Sequence, residues 1–274
     1  MKSTLVHRTT AELYDRAFST ARTMGVSTRK SVQNSFNLLA SRLAARAGGP
    51  FVVPLCRELA RYQPEQMRAR IETMYADLIV IGNSIKPNET ANLVSLMGGA
   101  VITIDQDTER HQARVTSLAS NLADIVSDLT GRVLDVRNLE IACRLHDFGK
   151  IGFPKSLRTK PDPTPEDRRV INAHLYFSYY LSAAIDPLKP ASEIIKYNHA
   201  YDGYPPKCKI EDMTIESQIL SLADCYDAIT NPRPYRTEIL SSVEAIACLK
   251  KRSYSKELLR AIEAYAARFP VVKS

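Results

Sequence analysis

Apolar residues in this chain recur at spacings of three and four, and no segment of convincing length alternates apolar with polar. That pattern commits a chain to amphipathic helices packed on one another and leaves little material for a sheet. Val32, Phe36, Leu38, Leu39 and Leu43 form one such stripe. Val115, Leu118, Leu122, Ile125 and Leu129 form a second, and Val136, Leu139, Ala142 and Leu145 a third. Composition agrees: 274 residues with 10 Gly, 7 Phe, no Trp, 45% hydrophobic and 24% charged residues suit helices better than a β-sandwich or a disordered chain. The expected fold class is all-α.

The chain divides in two on this reading. Residues 1–90 form a smaller N-terminal helical region, with helices over about 10–24, 27–46, 51–62 and 64–81, a break at Gly48-Gly49-Pro50, and a linker at Asn83 to Asn88. Residues 91–274 form a larger helical bundle. There a helix begins near Asp107, and Thr164-Pro165-Glu166-Asp167 marks another start, with Thr164 at the cap and Pro165 in the first turn. That second helix carries Val170, His174, Phe177 and Leu181 on one face. Further helices are expected over 192–198, 214–230, 237–250 and 256–269.

Several classes fall away. The N-terminus has no apolar signal-like run, and the span from Asn92 to Ile104 is too short to cross a membrane, so a cytoplasmic protein away from membranes is expected. The five Cys, at 56, 143, 208, 225 and 248, show no CxxC and read as reduced, mostly buried thiols. The net charge of +7 sits almost wholly in residues 1–100, with 13 Lys/Arg against 7 Asp/Glu. Its basic residues are scattered among apolar ones, as on solvated helix faces, so nucleic acid is not the expected partner.

Histidine is scarce, and its placement carries the chemistry. Of five, at 7, 111, 146, 174 and 199, four fall in the patterned region near a helix end or on an inward face, while His7 reads as surface. His146 and Asp147 stand in Leu145-His146-Asp147-Phe148-Gly149-Lys150, and Asp224 in Leu222-Ala223-Asp224-Cys225-Tyr226-Asp227-Ala228. Neutral imidazoles with carboxylates and no thiolate suit a borderline divalent ion such as Mn, Fe, Co or Zn. A carboxylate between two ions about 3.5–4 Å apart lets the pair activate water and hold both the attacking and leaving oxygens at phosphorus. Taken singly, each histidine is equally well explained as a buried, hydrogen-bonded core residue.

These residues resemble a known family. His146-Asp147 with Gly149 and Lys150, followed by Asp202-Gly203-Tyr204-Pro205, is similar to the signature of the HD-GYP domain, a branch of the HD phosphohydrolases. The resemblance runs from about Leu93 to the C-terminus, with its motifs in the family's order. It implies an HD-domain helical bundle that opens cyclic di-GMP to pGpG or GMP, with two or three divalent ions, Fe or Mn foremost. It implies His111, His146, Asp147, His174, His199 and Asp224 as metal ligands, with Asp147 bridging. Lys150, Tyr204, Arg233 and Arg236 are implied as substrate contacts, the cations facing phosphate.

Two departures and one addition stand beside it. Asn198 occupies the place of the first His of a usual pair, and an amide oxygen replaces imidazole poorly on a first-row metal. The loop from His199 to Tyr204 is about three residues short, with Ala200 where a Glu is common. Asp107, four residues before His111, lies on the same helix face and extends the cluster or merely favours the helix N-terminus. Asp227 reads as supporting or capping rather than ligating. Tyr179 and Tyr180 read as core, and Tyr201 as the rim of the site.

The leading expectation is a metal-dependent cyclic di-GMP phosphodiesterase of bacterial signalling. One alternative is a degenerate domain that binds cyclic di-GMP, or a GGDEF-type partner through Gly203-Tyr204-Pro205, without hydrolysis. Another is an HD hydrolase of a different phosphorylated nucleotide. Residues 1–90 lack the βα alternation of a receiver and read as a regulatory or dimerisation region, a homodimer being one outcome.

Overall fold

In the computed structural model the described residues are 78, 82–83, 87–153, 155–202, 210–232 and 238–272. The helices expected over 10–24, 27–46 and 51–62, and nearly all of that over 64–81, lie outside them, as do Cys56 and Cys208. Among the described residues there is no strand. Ten α-helices succeed one another among the described residues: α1 (Thr90–Ile104), α2 (Gln106–Thr130), α3 (Val136–Leu145), α4 (Lys155–Arg158), α5 (Pro165–Asn172), α6 (His174–Ala183), α7 (Lys189–Ile195), α8 (Ile215–Thr230), α9 (Ser242–Leu249) and α10 (Lys256–Arg268). No helix is long and apolar enough to cross a membrane among these residues.

Helix α2 is the axis of the bundle, packed by α1, α3, α8 and α10, while α7 bridges α3 and α6. It starts because Asp105 caps it, accepting from the backbone N–H of Asp107 and Thr108, and stops at Gly131, whose φ of 68° suits a left-handed C-cap. Its buried face runs through Thr108, His111, Val115, Ala119, Leu122 and Val126. That spacing follows the true helical period, whereas the sequence stripe ending at Leu129 follows a strict seven-residue repeat, which drifts about 20° per heptad on a straight helix. Leu129 is accordingly 51% exposed, a correction to the expected face.

The predicted helix through Val170 and His174 is broken at Ala173 into α5 and α6, although Val170, His174, Phe177 and Leu181 remain buried. The Ala173 N–H donates to Val170 O, a tightened i−3 bond, and the Ile171 carbonyl accepts from the His174 ring at 2.6 Å. The start of α5 is as read: Thr164 and Asp167 form a reciprocal capping box with Pro165 in the first turn. The helix expected over 192–198 lies three residues earlier, Lys189–Ile195, and Asn198 and His199 lie in the turn beyond it. Cys143 is buried, Cys225 half-buried and Cys248 exposed on the outer side of α9, so the thiols are less uniformly buried than expected.

Candidate metal centre

Five separate elements deliver side chains to one point. His111 projects from the second turn of α2. His146 caps the C-terminus of α3, and Asp147 follows as the chain tightens into a 3₁₀ turn, Phe148–Gly152. His174 opens α6, His199 lies in the turn after α7, and Asp224 comes from the middle of α8.

The two carboxylates lie between two histidine pairs. Asp147 Oδ2 is 3.6 Å from Nε2 of both His111 and His146, while its Oδ1 is 3.2 Å from His174 Nε2. Asp224 divides its oxygens the same way: Oδ1 is 3.0 Å from His111 Nε2 and 3.8 Å from His146 Nε2, and Oδ2 is 3.9 Å from His199 Nε2. His174 and His199 face each other through Nε2 at 3.3 Å. Ligand atoms of His111, His146 and Asp224 lie within 4.8 Å of one another.

Every imidazole is held from behind by its other nitrogen. His146 Nδ1 is 2.8 Å from Cys143 O and His174 Nδ1 is 2.6 Å from Ile171 O. His111 Nδ1 is 2.6 Å from Asp227 Oδ2, and His199 Nδ1 is 3.1 Å from Asp202 Oδ2. A backbone carbonyl only accepts, so Nδ1 of His146 and His174 carries the proton and Nε2 presents a lone pair to the centre.

Protonation states suit the same end. Burial pushes the His146 ring down, and burial together with Lys150 pushes His174 down to about 3, so both stay neutral. Burial opposes ionisation of Asp147, but the Lys150 ammonium beside it outweighs this and holds its carboxyl below the usual range. Asp224 is lowered in the same sense, burial being overcome by the hydrogen bond to His111. Lone pairs and carboxylate oxygens turned on one another in a buried site call for a cation among them. His146 Nε2 in particular is buried with no hydrogen-bond partner among the described residues. The donor set therefore fits divalent metal, with His111, His146, Asp147 and Asp224 on one side and Asp147, His174, His199 and Asp224 on the other.

The remaining expected residues are placed unevenly. Lys150 Nζ reaches Asp147 Oδ2 from the 3₁₀ turn. Asn198 is buried beside the second histidine pair, with its Nδ2 3.0 Å from Asp224 Oδ2 and 3.4 Å from His199 Nε2; its Oδ1 has no partner among the described residues. Asp107 is exposed in the first turn of α2 and, with Lys150, Arg158, Lys160, Arg168 and Asp202, lines a cavity of about 490 Å³. Tyr204, Arg233 and Arg236, with Gly203 and Pro205, lie outside the described residues. Tyr180 is buried and Tyr179 half-buried, as read.

Sequence reasoning missed two guanidinium groups. Arg114 holds Asp227 through Nε at 2.6 Å and Nη2 at 3.0 Å, and Arg252 holds Asp202 through Nη1 at 2.8 Å. Arg114 had a signal of sorts, a charge three residues after His111 on the same side of α2. Arg252 had none.

The HD domain family model matches residues 102–257. The chain is similar to a cyclic di-GMP phosphodiesterase of Thermotoga maritima, 30% identical over 165 residues, which is 57% of this chain and 44% of that protein. It is likewise 30% identical over 183 residues to a cyclic di-GMP phosphodiesterase response regulator of Xanthomonas campestris, covering 64% of this chain and 47% of the relative. A 3'3'-cGAMP-specific phosphodiesterase of Vibrio cholerae is 26% identical over 153 residues, 53% of this chain and 32% of that protein. The chain thus spans less than half the length of these curated relatives. The matched region contains His111, the His146-Asp147 pair, His174, His199 and Asp224. The chain belongs to the HD domain family, in its HD-GYP branch.

Proposed function

We propose that this domain hydrolyses the phosphodiester bonds of cyclic di-GMP, to pGpG and onward to GMP, in bacterial second-messenger signalling. The observation that carries it is the convergence of four imidazole Nε2 atoms on the two oxygens each of Asp147 and Asp224, with each ring held through Nδ1. Divalent cations held there supply Lewis-acid chemistry, acidifying water and neutralising charge on the phosphate. In each cleavage an oxygen from water bonds to phosphorus, the P–O3′ bond breaks, and the 3′ oxygen leaves with a proton. Lys150, half-buried next to Asp147, adds positive charge on the phosphate side. Arg233 and Arg236 are assigned to the phosphates, and Tyr204 to the substrate, by resemblance alone. The cavity of about 490 Å³ beside Lys150 is of ligand size and suits the part of the substrate beyond the scissile bond.

Metal analysis of the purified chain, with product analysis on cyclic di-GMP, 3'3'-cGAMP and other phosphorylated nucleotides, tests the reading. Bound Fe or Mn with pGpG as the first product is the expected result. Metal with turnover of other nucleotides only would move the assignment within the family, and neither metal nor product would leave a binding domain.

One observation favours that non-hydrolytic alternative. Asn198 turns its N–H donor, not an acceptor, toward Asp224 and His199, and so occupies ligand atoms of the second histidine pair. The wild-type chain is expected to hold one ion tightly and a second weakly. Asn198→His is expected to raise bound metal from about one toward about two ions per chain and to increase turnover. Elemental analysis after gel filtration checks it; unchanged metal content would show that Asn198 is not what limits the second position. Residues 1–90 we assign to regulation or dimerisation, and the Gly203-Tyr204-Pro205 loop to contact with a GGDEF-type partner.

A further inference from the structure

Of the four histidines at the centre, His199 has the most exposed side chain, and it stands in the turn between α7 and a short 3₁₀ turn at Ala200–Asp202. His146 and His174 lean on carbonyls of their own local backbone, three residues earlier. His111 leans on Asp227, which is buried and gripped by Arg114 and Asn231. A ring in a turn has more conformations to lose and so needs an external hold.

The ring is held locally by Asp202, three residues on, and Asp202 is in turn held by the segment after α9. Asp202 Oδ2 is 3.1 Å from His199 Nδ1, and Asp202 Oδ1 accepts from Arg252 Nη1 at 2.8 Å. Arg252 is itself fixed by its backbone N–H, which donates to Leu249 O at 3.0 Å. Two residues on, Tyr254 packs its ring on Tyr201 with centroids 4.1 Å apart, and its hydroxyl lies 3.4 Å from Ser221 Oγ, one turn before Asp224 on α8. The 252–254 segment therefore touches both elements that carry His199 and Asp224.

We infer that Arg252 is a positioning residue, which through Asp202 fixes the His199 imidazole with Nε2 turned toward His174 and Asp224. The inference rests on the reading of the site as a metal centre for its consequence, though not for the clasp itself. Arg252 and Asp202 side chains are each about a third exposed, at 33% and 35%, so the pair contributes little to global stability. Its effect is on ring orientation, where loss of an outer hydrogen-bond partner lowers metal affinity by roughly 10–100-fold.

The test is side-chain ¹⁵N NMR of the metal-free full chain, in which only five histidines need assignment, paired with Mn²⁺ titration and thermal unfolding. In the wild type His199 is expected as a single tautomer protonated at Nδ1. Arg252→Ala is expected to give an exchanging tautomer mixture at His199 alone, to weaken Mn²⁺ binding about tenfold, and to leave the unfolding midpoint nearly unchanged. Arg252→Lys, which keeps a donor, is expected to restore much of both. The inference is overturned if His199 keeps its Nδ1–H tautomer in Arg252→Ala, or if all four site histidines change together with a fall in the midpoint, the mark of a merely structural tie. A wild type that takes up no Mn²⁺ would defeat the metal reading, while the His199 spectrum would still decide the clasp.

Discussion

Asp147→Ala is expected to abolish hydrolysis of cyclic di-GMP and to strip most of the bound metal in the same step. Asp147 is 1% exposed and, like Asp224, touches both histidine pairs, His111 and His146 through Oδ2 and, more closely than Asp224 approaches the second pair, His174 through Oδ1. It also balances Lys150. Removing an outer partner of a metal ligand costs roughly 10–100-fold, so losing a carboxylate shared by both sides is expected to exceed about a hundredfold. Asp147→Asn separates charge from shape: it fills the same space, keeps an oxygen, and loses the negative charge that makes the site attractive to a cation. Activity and metal content are expected to fall in both variants, with less loss of thermal stability in Asn than in Ala. Product chromatography and elemental analysis on the same preparations check this, and full activity in Asp147→Ala would end the assignment of Asp147 as the bridging ligand.

How far this centre could be read from sequence depended on whether a partner was local. His146-Asp147 and the order of His111, His174, His199 and Asp224 were legible through their resemblance to the HD-GYP signature, since each of these residues taken singly suits a buried core equally well. The ring holds of His146 and His174, each on a carbonyl three residues back, follow from helix geometry once the helices are placed. Arg114 meets Asp227 across 113 residues, and Arg252 meets Asp202 across 50, and those meetings are products of packing, marked in the sequence only by the place of Arg114 one turn after His111. The fold class was legible from period alone, but the break at Ala173 was not, because it depends on a side chain taking a backbone acceptor within an otherwise helical pattern. Leu129 was misplaced for a different reason: a seven-residue reading holds for a few turns and then drifts off the buried face.

The largest effect on folding is expected at Gly149, and it reaches the metal centre through backbone rather than through a ligand. Gly149 has no positive φ, so conformational freedom does not explain it. Close approach does: a Cβ at 149 would lie 2.2 Å from the carbonyl oxygen of His174 and 2.8 Å from Phe177 Cβ. Neither is the far end of a flexible side chain, so the 3₁₀ turn and α6 would have to separate. That contact is what brings Asp147 within 3.2 Å of His174, and the Gly149 N–H donates to Ser178 Oγ on the same helix at 2.9 Å. Gly149→Ala is therefore expected to cost about 3 kcal/mol, the upper part of the range for overpacking, and to lower the unfolding midpoint by roughly 6–12 °C. The folded remainder is expected to bind metal poorly, since Asp147 and His174 can no longer converge. Gly98→Ala in α1 is the matched control: its Cβ meets nothing within 4 Å, and alanine in a helix is neutral or stabilising by up to about 1 kcal/mol. An unchanged midpoint and unchanged metal content in Gly149→Ala would show that the turn and α6 can part without cost, and that the approach at 149 does not set the geometry of the centre.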